Sequence, residues 1–150
     1  MNYDHDAIRK AYPNVTLIDD SVGIFDATAK DQEENLDSRI AQSRIQGIRV
    51  GFVDQRENPG DDPRTFEMFP LFKAMSERKL RVWFYAEPPQ VKLFDKVLKE
   101  LPELVAVFNH CGFMVSLDNL AVDEHNRPHF SVKLPPETLD LLEMVATNPN

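Results

Sequence analysis

The sequence predicts an α/β protein in which four parallel strands alternate with helices. Three observations support this prediction: short apolar runs recur along the chain, stretches with helical spacing separate them, and the runs are apolar on both faces. Strands of this kind are typical of a parallel sheet covered by helices on its faces. Regular alternation of strands and helices also favours right-handed crossovers within one domain.

The four predicted strands are rich in β-branched and aromatic residues and are bounded by residues that break regular structure. They cover residues 14–19, 48–53, 81–86 and 104–109. Long helices are predicted between them over residues 29–46, 63–79 and 88–101. A short helix at 4–12 opens the chain, a last helix at 136–146 closes it, and residues 113–134 show no clear period.

Capping residues support these helix limits. Gly47 suits the C-cap of the helix over 29–46, and Asp62 suits the N-cap of the next helix. Pro70 should bend or restart that next helix. Apolar residues at helical spacing predict the buried faces. In the helix over 63–79 they are Phe66, Phe69, Phe72 and Met75, in the helix over 88–101 they are Val91, Phe94, Val97, Leu98 and Leu101, and in the last helix they are Leu139, Leu142 and Val145.

Length and charge exclude several classes of protein. The chain has 150 residues, with 17 Lys and Arg against 25 Asp and Glu, for a net charge of −8. A nucleic-acid partner is not expected, because phosphate binding requires a basic surface. A membrane partner is not expected either, because no apolar run reaches the ~20 residues of a span. The polar opening and the single cysteine, Cys111, predict one cytoplasmic domain over residues 1–150, without a disulfide.

Polar residues gather where the predicted strands end. In parallel α/β proteins, ligands bind beyond the carboxyl ends of the strands. The residues at this edge are Asp19, Asp20, Asp54, Tyr85, Glu87, Asn109, His110 and Cys111. The sequence therefore predicts that any functional site lies at this edge.

His110 and Arg49 are the strongest candidates for functional residues. A histidine that ends an apolar strand can ligate a metal, act as a general base or orient a substrate, or it can simply hydrogen-bond a neighbouring loop. Arg49 lies inside a strand, where a buried guanidinium requires an anionic partner. That partner is either a bound carboxylate or a carboxylate of the chain, Asp54 or Glu87.

The remaining candidates have plain structural interpretations beside the functional ones. Tyr85 can donate a hydrogen bond to a substrate, or pack with only its hydroxyl in water. Cys111 can be a nucleophile, or a small buried side chain. His125 and His129 are expected to face solvent.

Several motifs resemble those of the amidohydrolase-related family, which includes the 2-pyrone-4,6-dicarboxylate lactonase-like hydrolases. They are Gly47-Ile-Arg-Val50, Asp62-Pro-Arg-Thr65, Arg81-Val-Trp-Phe-Tyr-Ala-Glu-Pro-Pro-Gln90, Leu93-Phe-Asp-Lys-Val-Leu98 and Leu101-Pro-Glu-Leu-Val-Ala-Val-Phe-Asn-His-Cys-Gly112. The resemblance covers about residues 45–150.

The resemblance implies a TIM-barrel hydrolase that acts on a C–O or C–N bond of a small acidic substrate, such as a lactone. In that family context His110 is the strand-end catalytic group or metal ligand, and Arg49, Tyr85 and Asn109 bind the substrate. A divalent metal such as zinc is also implied. The chain lacks a His-x-His pair, and one histidine leaves the usual set of three zinc ligands incomplete.

Four strands account for half of an eight-stranded barrel, so the expected architecture is a partial (half) TIM barrel, from a truncated or divergent member of the family. Two alternatives stand beside the hydrolase. One is a non-catalytic half-barrel that self-associates, as a homo-oligomer that covers its open sheet edges. The other is a receiver-like signalling domain, in which Asp19, Asp20 and Asp54 would hold Mg²⁺.

Overall fold

The structure is a computed structural model that describes residues 10, 11, 13, 21–25, 32–112, 121–129 and 137–148. Its main sheet consists of four parallel strands in the order β1–β2–β3–β4. Their bounds are Ser21–Ile24 for β1, Ile45–Val50 for β2, Arg81–Phe84 for β3 and Ala106–Phe108 for β4. Four parallel strands that alternate with helices in one open sheet confirm the predicted fold class, a partial barrel.

Four α-helices accompany the described sheet. They are α1 (Gln32–Ser43), α2 (Phe69–Glu77), α3 (Pro88–Glu100) and α4 (Glu137–Thr147). Two 3₁₀ turns lie at Pro63–Thr65 and Asn109–Gly112, and an antiparallel pair, β5 (Ala121–Val122) and β6 (Pro128–His129), forms a separate hairpin. The hairpin lies in the stretch where the sequence shows no clear period, because each of its strands is only two residues long.

The first described strand, β1, was not among the predicted strands. The predicted strand at 14–19 and most of the predicted helix at 4–12 lie outside the described residues. β1 at Ser21–Ile24 is short and contains Gly23, so it lacks the longer apolar run on which strand prediction depends. It pairs in parallel with β2, where the Cα of Gly23 lies opposite that of Ile48.

β2 begins three residues earlier than expected, and Gly47 lies inside it rather than capping the preceding helix. Arg44 occupies the left-handed backbone region instead, at φ 52°, between α1 and β2. Gly47 has a different role, because a Cβ at this position would collide with the backbone carbonyl oxygen of Arg81 and lie 3.1 Å from Trp83 Cδ1. The glycine therefore lets β3 approach β2 closely.

The third predicted helix is interrupted just before Pro70, as the sequence suggests. Asp62 caps the first 3₁₀ turn, where its side chain accepts a hydrogen bond from the Arg64 amide at 3.0 Å. Pro70 lies in the first turn of α2, where its missing N–H leaves no helical hydrogen bond unmade. The prediction that Pro70 restarts the helix is confirmed.

The core lies between the sheet and its covering helices. Phe84 of β3 stacks on Phe94 of α3 with ring centroids 4.3 Å apart and planes 7° apart. Phe72 of α2 and Phe108 of β4 contact the same Phe94 ring, at 5.2 Å and 5.8 Å. Phe94 thus joins two helices and two strands. All four residues of the predicted α2 face are buried, and so is every predicted α3 residue except the partly exposed Leu101.

The predicted buried face of the last helix is wrong. Leu139, Leu142 and Val145 are 72%, 58% and 52% exposed, whereas Leu141 and Met144 are buried. Both sets satisfy helical spacing, and packing of α4 against α3 selects the second set. In the described part of the chain, no helix has the length and apolar character required to cross a bilayer.

Candidate functional site

The candidate site lies on the sheet face that α2 and α3 leave uncovered. Ile48 and Val50 of β2 are buried in the core, so Arg49 between them points to the opposite face, where it is exposed. On β3 the same alternation places Trp83, whose Cα lies opposite that of Arg49, on this second face. Tyr85 continues it just beyond the end of β3.

Arg49 contacts Tyr85 directly. Its guanidinium carbon lies 4.6 Å from the centre of the Tyr85 ring, a cation–π arrangement. A strand-to-strand hydrogen bond lies beside this pair, from the Tyr85 amide to the Val50 carbonyl at 3.0 Å. Arg49 is exposed, so the premise that its guanidinium is buried was wrong. Within the described residues, neither Asp54 nor Glu87 forms an ion pair with it.

His110 lies on the other side of Tyr85. The two rings meet edge to face with centroids 5.2 Å apart and planes inclined by 62°. His110 is exposed and belongs to a 3₁₀ turn rather than to the end of a strand, with φ at 53°. A left-handed backbone is uncommon for a residue other than glycine, and such conformations cluster at functional sites.

The other predicted site residues have varied positions. Asn109 is half-buried at the start of the same turn as His110. The Cys111 side chain, Asp19 and Asp20 lie outside what the structure describes. His125 is exposed in the hairpin turn, as predicted. The structure therefore brings together Arg49, Tyr85 and His110, with Asn109 adjacent in the chain.

Asp54 forms an ion pair with the neighbouring Arg56. Its carboxylate is 1% exposed and accepts hydrogen bonds from Arg56 Nε at 2.9 Å and from the Arg56 and Glu67 amides at 2.9 Å and 3.0 Å. The hydrogen bond from the Arg56 side chain lowers the pKa of Asp54 to about 2, against the opposing effect of burial. Asp54 therefore stabilises the loop that follows β2.

We expect the Asp54→Asn variant to lose the part of the stability that depends on this ionised carboxylate. Because folding lowers the pKa of Asp54, its contribution is complete above the unfolded value of about 3.9 and disappears as the pH falls through about 2. Urea unfolding should show a deficit of about 2 kcal/mol at neutral pH that shrinks below about pH 4. A deficit that stays constant with pH would contradict this linkage.

Sequence reasoning missed two residues that border the site. Trp83 is half-buried on the same face as Arg49. The sequence could have predicted this, because Trp83 lies two residues before Tyr85 in a strand and such residues share a face. Gln90, in the first turn of α3, hydrogen-bonds the loop after β2. The Pro88-Pro89 pair places Gln90 in that first turn, but no sequence signal connects it to residues 36 positions away.

A catalytic zinc ion is usually held by three protein ligands. Among the described residues, no group of three or more His, Cys, Asp and Glu side chains has the arrangement of a metal site. His110 is thus not part of a complete ligand set within this part of the chain. The described residues alone do not fit the divalent metal that the family resemblance implies.

An open parallel sheet with a polar cluster beyond its strand ends defines an α/β protein of the partial-barrel class. Within that class the chain belongs to the amidohydrolase family, because the amidohydrolase family model matches residues 13–134, most of its length. The match begins before the range covered by the resembling motifs and ends before α4. Searches of the curated proteins and of the solved structures found no match.

Family membership supports a hydrolase-type function. It favours neither the non-catalytic half-barrel nor the receiver-like domain. The described contacts also weaken the receiver-like alternative, since the Asp54 carboxylate is buried and paired with Arg56.

Proposed function

We propose that the chain is a lactonase-like hydrolase that cleaves a C–O or C–N bond in a small substrate carrying a carboxylate. The observation that carries the proposal is the contact of Tyr85 with both Arg49 and His110 on the open face of the sheet. A cation, a phenol and an imidazole are thus available to one small molecule. The predicted homo-oligomer stays a prediction, with β1 and β4 as the outer strands of the described sheet.

In this proposal Arg49 binds the substrate carboxylate. A guanidinium pairs with a carboxylate through two parallel N–H···O bonds, which fix both the position and the orientation of the substrate. The exposed guanidinium, held over the Tyr85 ring, is accessible to such a ligand. Ile24 and Trp83 flank Arg49 on the neighbouring strands and offer apolar contacts to the rest of the substrate.

The reaction then requires a group that removes a proton and a group that polarises the carbonyl. The His110 imidazole accepts a proton from water as the water oxygen attacks the carbonyl carbon. In this proposal the Tyr85 hydroxyl donates a hydrogen bond to the carbonyl oxygen, and the Asn109 amide assists it. The C–O or C–N bond breaks when the leaving oxygen or nitrogen takes up a proton, so one water is consumed for each bond cleaved.

A substrate panel tests the proposed role of Arg49. It contains lactones, esters and amides with a free carboxylate, each beside its uncharged methyl ester. For the substrate that is cleaved, Arg49→Ala should raise KM by about 100-fold and change kcat little, because the lost charge-assisted hydrogen bonds bind ground state and transition state alike. Arg49→Lys should recover only part of this, since an ammonium cannot pair bidentately.

Arg81→Ala is the matched control. Arg81 is an exposed arginine at the opposite end of β3, where it hydrogen-bonds Gln46 at 3.2 Å. Its removal should leave KM unchanged. Equal KM values for the wild type and Arg49→Ala would contradict the proposed binding of a substrate carboxylate. So would the absence of any preference of the wild type for the charged substrates.

A further inference from the structure

Gln90 makes three hydrogen bonds to the backbone of the loop that follows β2. Its Oε1 accepts from the Val53 amide at 2.7 Å and from the Asp54 amide at 3.1 Å, and its Nε2 donates to the Asp54 carbonyl at 2.8 Å. A glutamine side chain is suited to this because it carries both an acceptor and a donor. Gln90 itself lies in the first turn of α3, where its backbone amide bonds to the Glu87 carbonyl.

These bonds connect the two segments that carry Arg49 and Tyr85. Val53 follows Arg49 by four residues, and Gln90 follows Tyr85 by five. The last ladder bond between the two strands runs from the Tyr85 amide to the Val50 carbonyl. Beyond it, the hydrogen bonds of Gln90 join the loop after β2 to the first turn of α3, which follows β3. Gln90 therefore closes a ring of backbone and hydrogen bonds through residues 50–53 and 85–90, which contains Tyr85 and is adjacent in the chain to Arg49.

The same loop is held from its other side. The Val53 carbonyl accepts from the Met68 amide at 3.1 Å, and the Asp54 carboxylate accepts from the Arg56 and Glu67 amides. Val53 and Asp54 are both buried. In the part of the chain that the structure describes, the hydrogen bonds of Val53 and Asp54 to α3 are those with Gln90. We therefore expect the loss of the Gln90 amide to loosen the β2 end relative to the β3 end.

We propose that Gln90 is a positioning residue, whose three hydrogen bonds to the loop after β2 keep the Arg49 guanidinium over the Tyr85 ring and thereby set the geometry for binding a carboxylate. The part concerning the carboxylate rests on the proposed function. The part concerning the Arg49–Tyr85 geometry does not. The experiment therefore measures the two parts separately.

The geometry is measured without ligand, by NMR. A guanidinium held over an aromatic ring has an Nε–H resonance shifted by the ring current, and the Arg49 signal is assigned by its loss in Arg49→Lys. Gln90→Met replaces the amide with an apolar chain of similar length and should abolish the ring-current shift. Gln90→Glu keeps the acceptor but loses the donor to the Asp54 carbonyl, so it should give an intermediate shift.

Carboxylate binding is measured with succinate as the probe. Trp83 is the single tryptophan of the sequence and lies beside Arg49, so its fluorescence reports binding at the site. In Gln90→Met, at a temperature where circular dichroism shows a folded protein, the Kd for succinate should rise about tenfold. A purely structural role would lower the unfolding temperature and leave the Kd of the folded protein unchanged.

Asn148→Leu is the control for general loss of stability. Asn148 is also a half-buried amide, which donates to the Met144 carbonyl at 2.9 Å and to Asp95 Oδ1 at 3.1 Å at the end of α4. It should leave both the ring-current shift and the Kd unchanged. If folded Gln90→Met keeps both at their wild-type values, the inference is overturned. If the wild type does not bind succinate, the carboxylate site of the proposed function fails, and the ring-current shift alone decides the role of Gln90.

Discussion

Replacing His110 with alanine should lower kcat for the hydrolysed substrate by about 10²–10⁴-fold, the usual contribution of a general base. The imidazole meets Tyr85 edge to face and is exposed to incoming water. Among the described residues, no other histidine contacts the Arg49–Tyr85 pair. The measurement is steady-state hydrolysis over the panel of carboxylate-bearing lactones, esters and amides.

His125→Ala is the matched control, because His125 is an exposed histidine in the turn of the β5–β6 hairpin. It should hydrolyse the same substrate at the wild-type rate. Hydrolysis by His110→Ala at the wild-type rate would remove the central residue of the proposed mechanism. Metal analysis of the same proteins adds a second readout: metal that copurifies with the wild type and is lost from His110→Ala would assign His110 as a ligand.

His110→Gly separates catalysis from folding. The backbone of His110 has φ 53°, which glycine adopts without the steric cost that other residues incur. We expect this variant to be at least as stable as His110→Ala in urea, although both lack the imidazole and both should be inactive. Such a result would show that the lost activity does not come from misfolding of the 3₁₀ turn.

Replacing Phe94 with alanine should have the largest effect on stability, about 3–5 kcal/mol. Phe94 is fully buried, stacks on Phe84 and contacts Phe72 and Phe108. Removing the ring leaves a cavity where two helices and two strands meet, and close-packed neighbours can fill only part of it. The measurement is the free energy of unfolding from urea denaturation.

Leu139→Ala is the appropriate comparison, since Leu139 is 72% exposed on α4. It should change the stability by no more than about 0.5 kcal/mol. A loss comparable to that of Phe94→Ala would mean that α4 presents the originally predicted face to the core. The pair of variants thus tests both the centre of the core and the orientation of the last helix.

The sequence was most informative where burial and spacing gave one solution. The spacing of Phe66, Phe69, Phe72 and Met75 identifies the buried face around α2. In α4 the spacing allowed two faces, and only contact with α3 selects Leu141 and Met144. β1 was missed because four residues with a central glycine carry little periodic signal.

The candidate site, too, could be predicted from the sequence only in part. Parallel strands place their carboxyl ends at one edge, so the proximity of Tyr85 and His110 follows from strand order alone. The exposure of Arg49 does not follow, because it depends on which face of the sheet the helices cover. The contacts of Gln90 with Val53 and Asp54 depend on the path of a loop. Many weak interactions determine such a path, and they leave no periodic pattern in the sequence.

The close approach at Gly47 has a consequence for how the protein tolerates change. Every other amino acid has a Cβ atom, so in this backbone each of them would collide with the Arg81 carbonyl. The short distance between β2 and β3 thus depends on the absence of a Cβ atom at Gly47. A saturation library at this codon should therefore yield glycine alone among well-folded clones, whereas the exposed neighbouring position, Gln46, should accept many replacements.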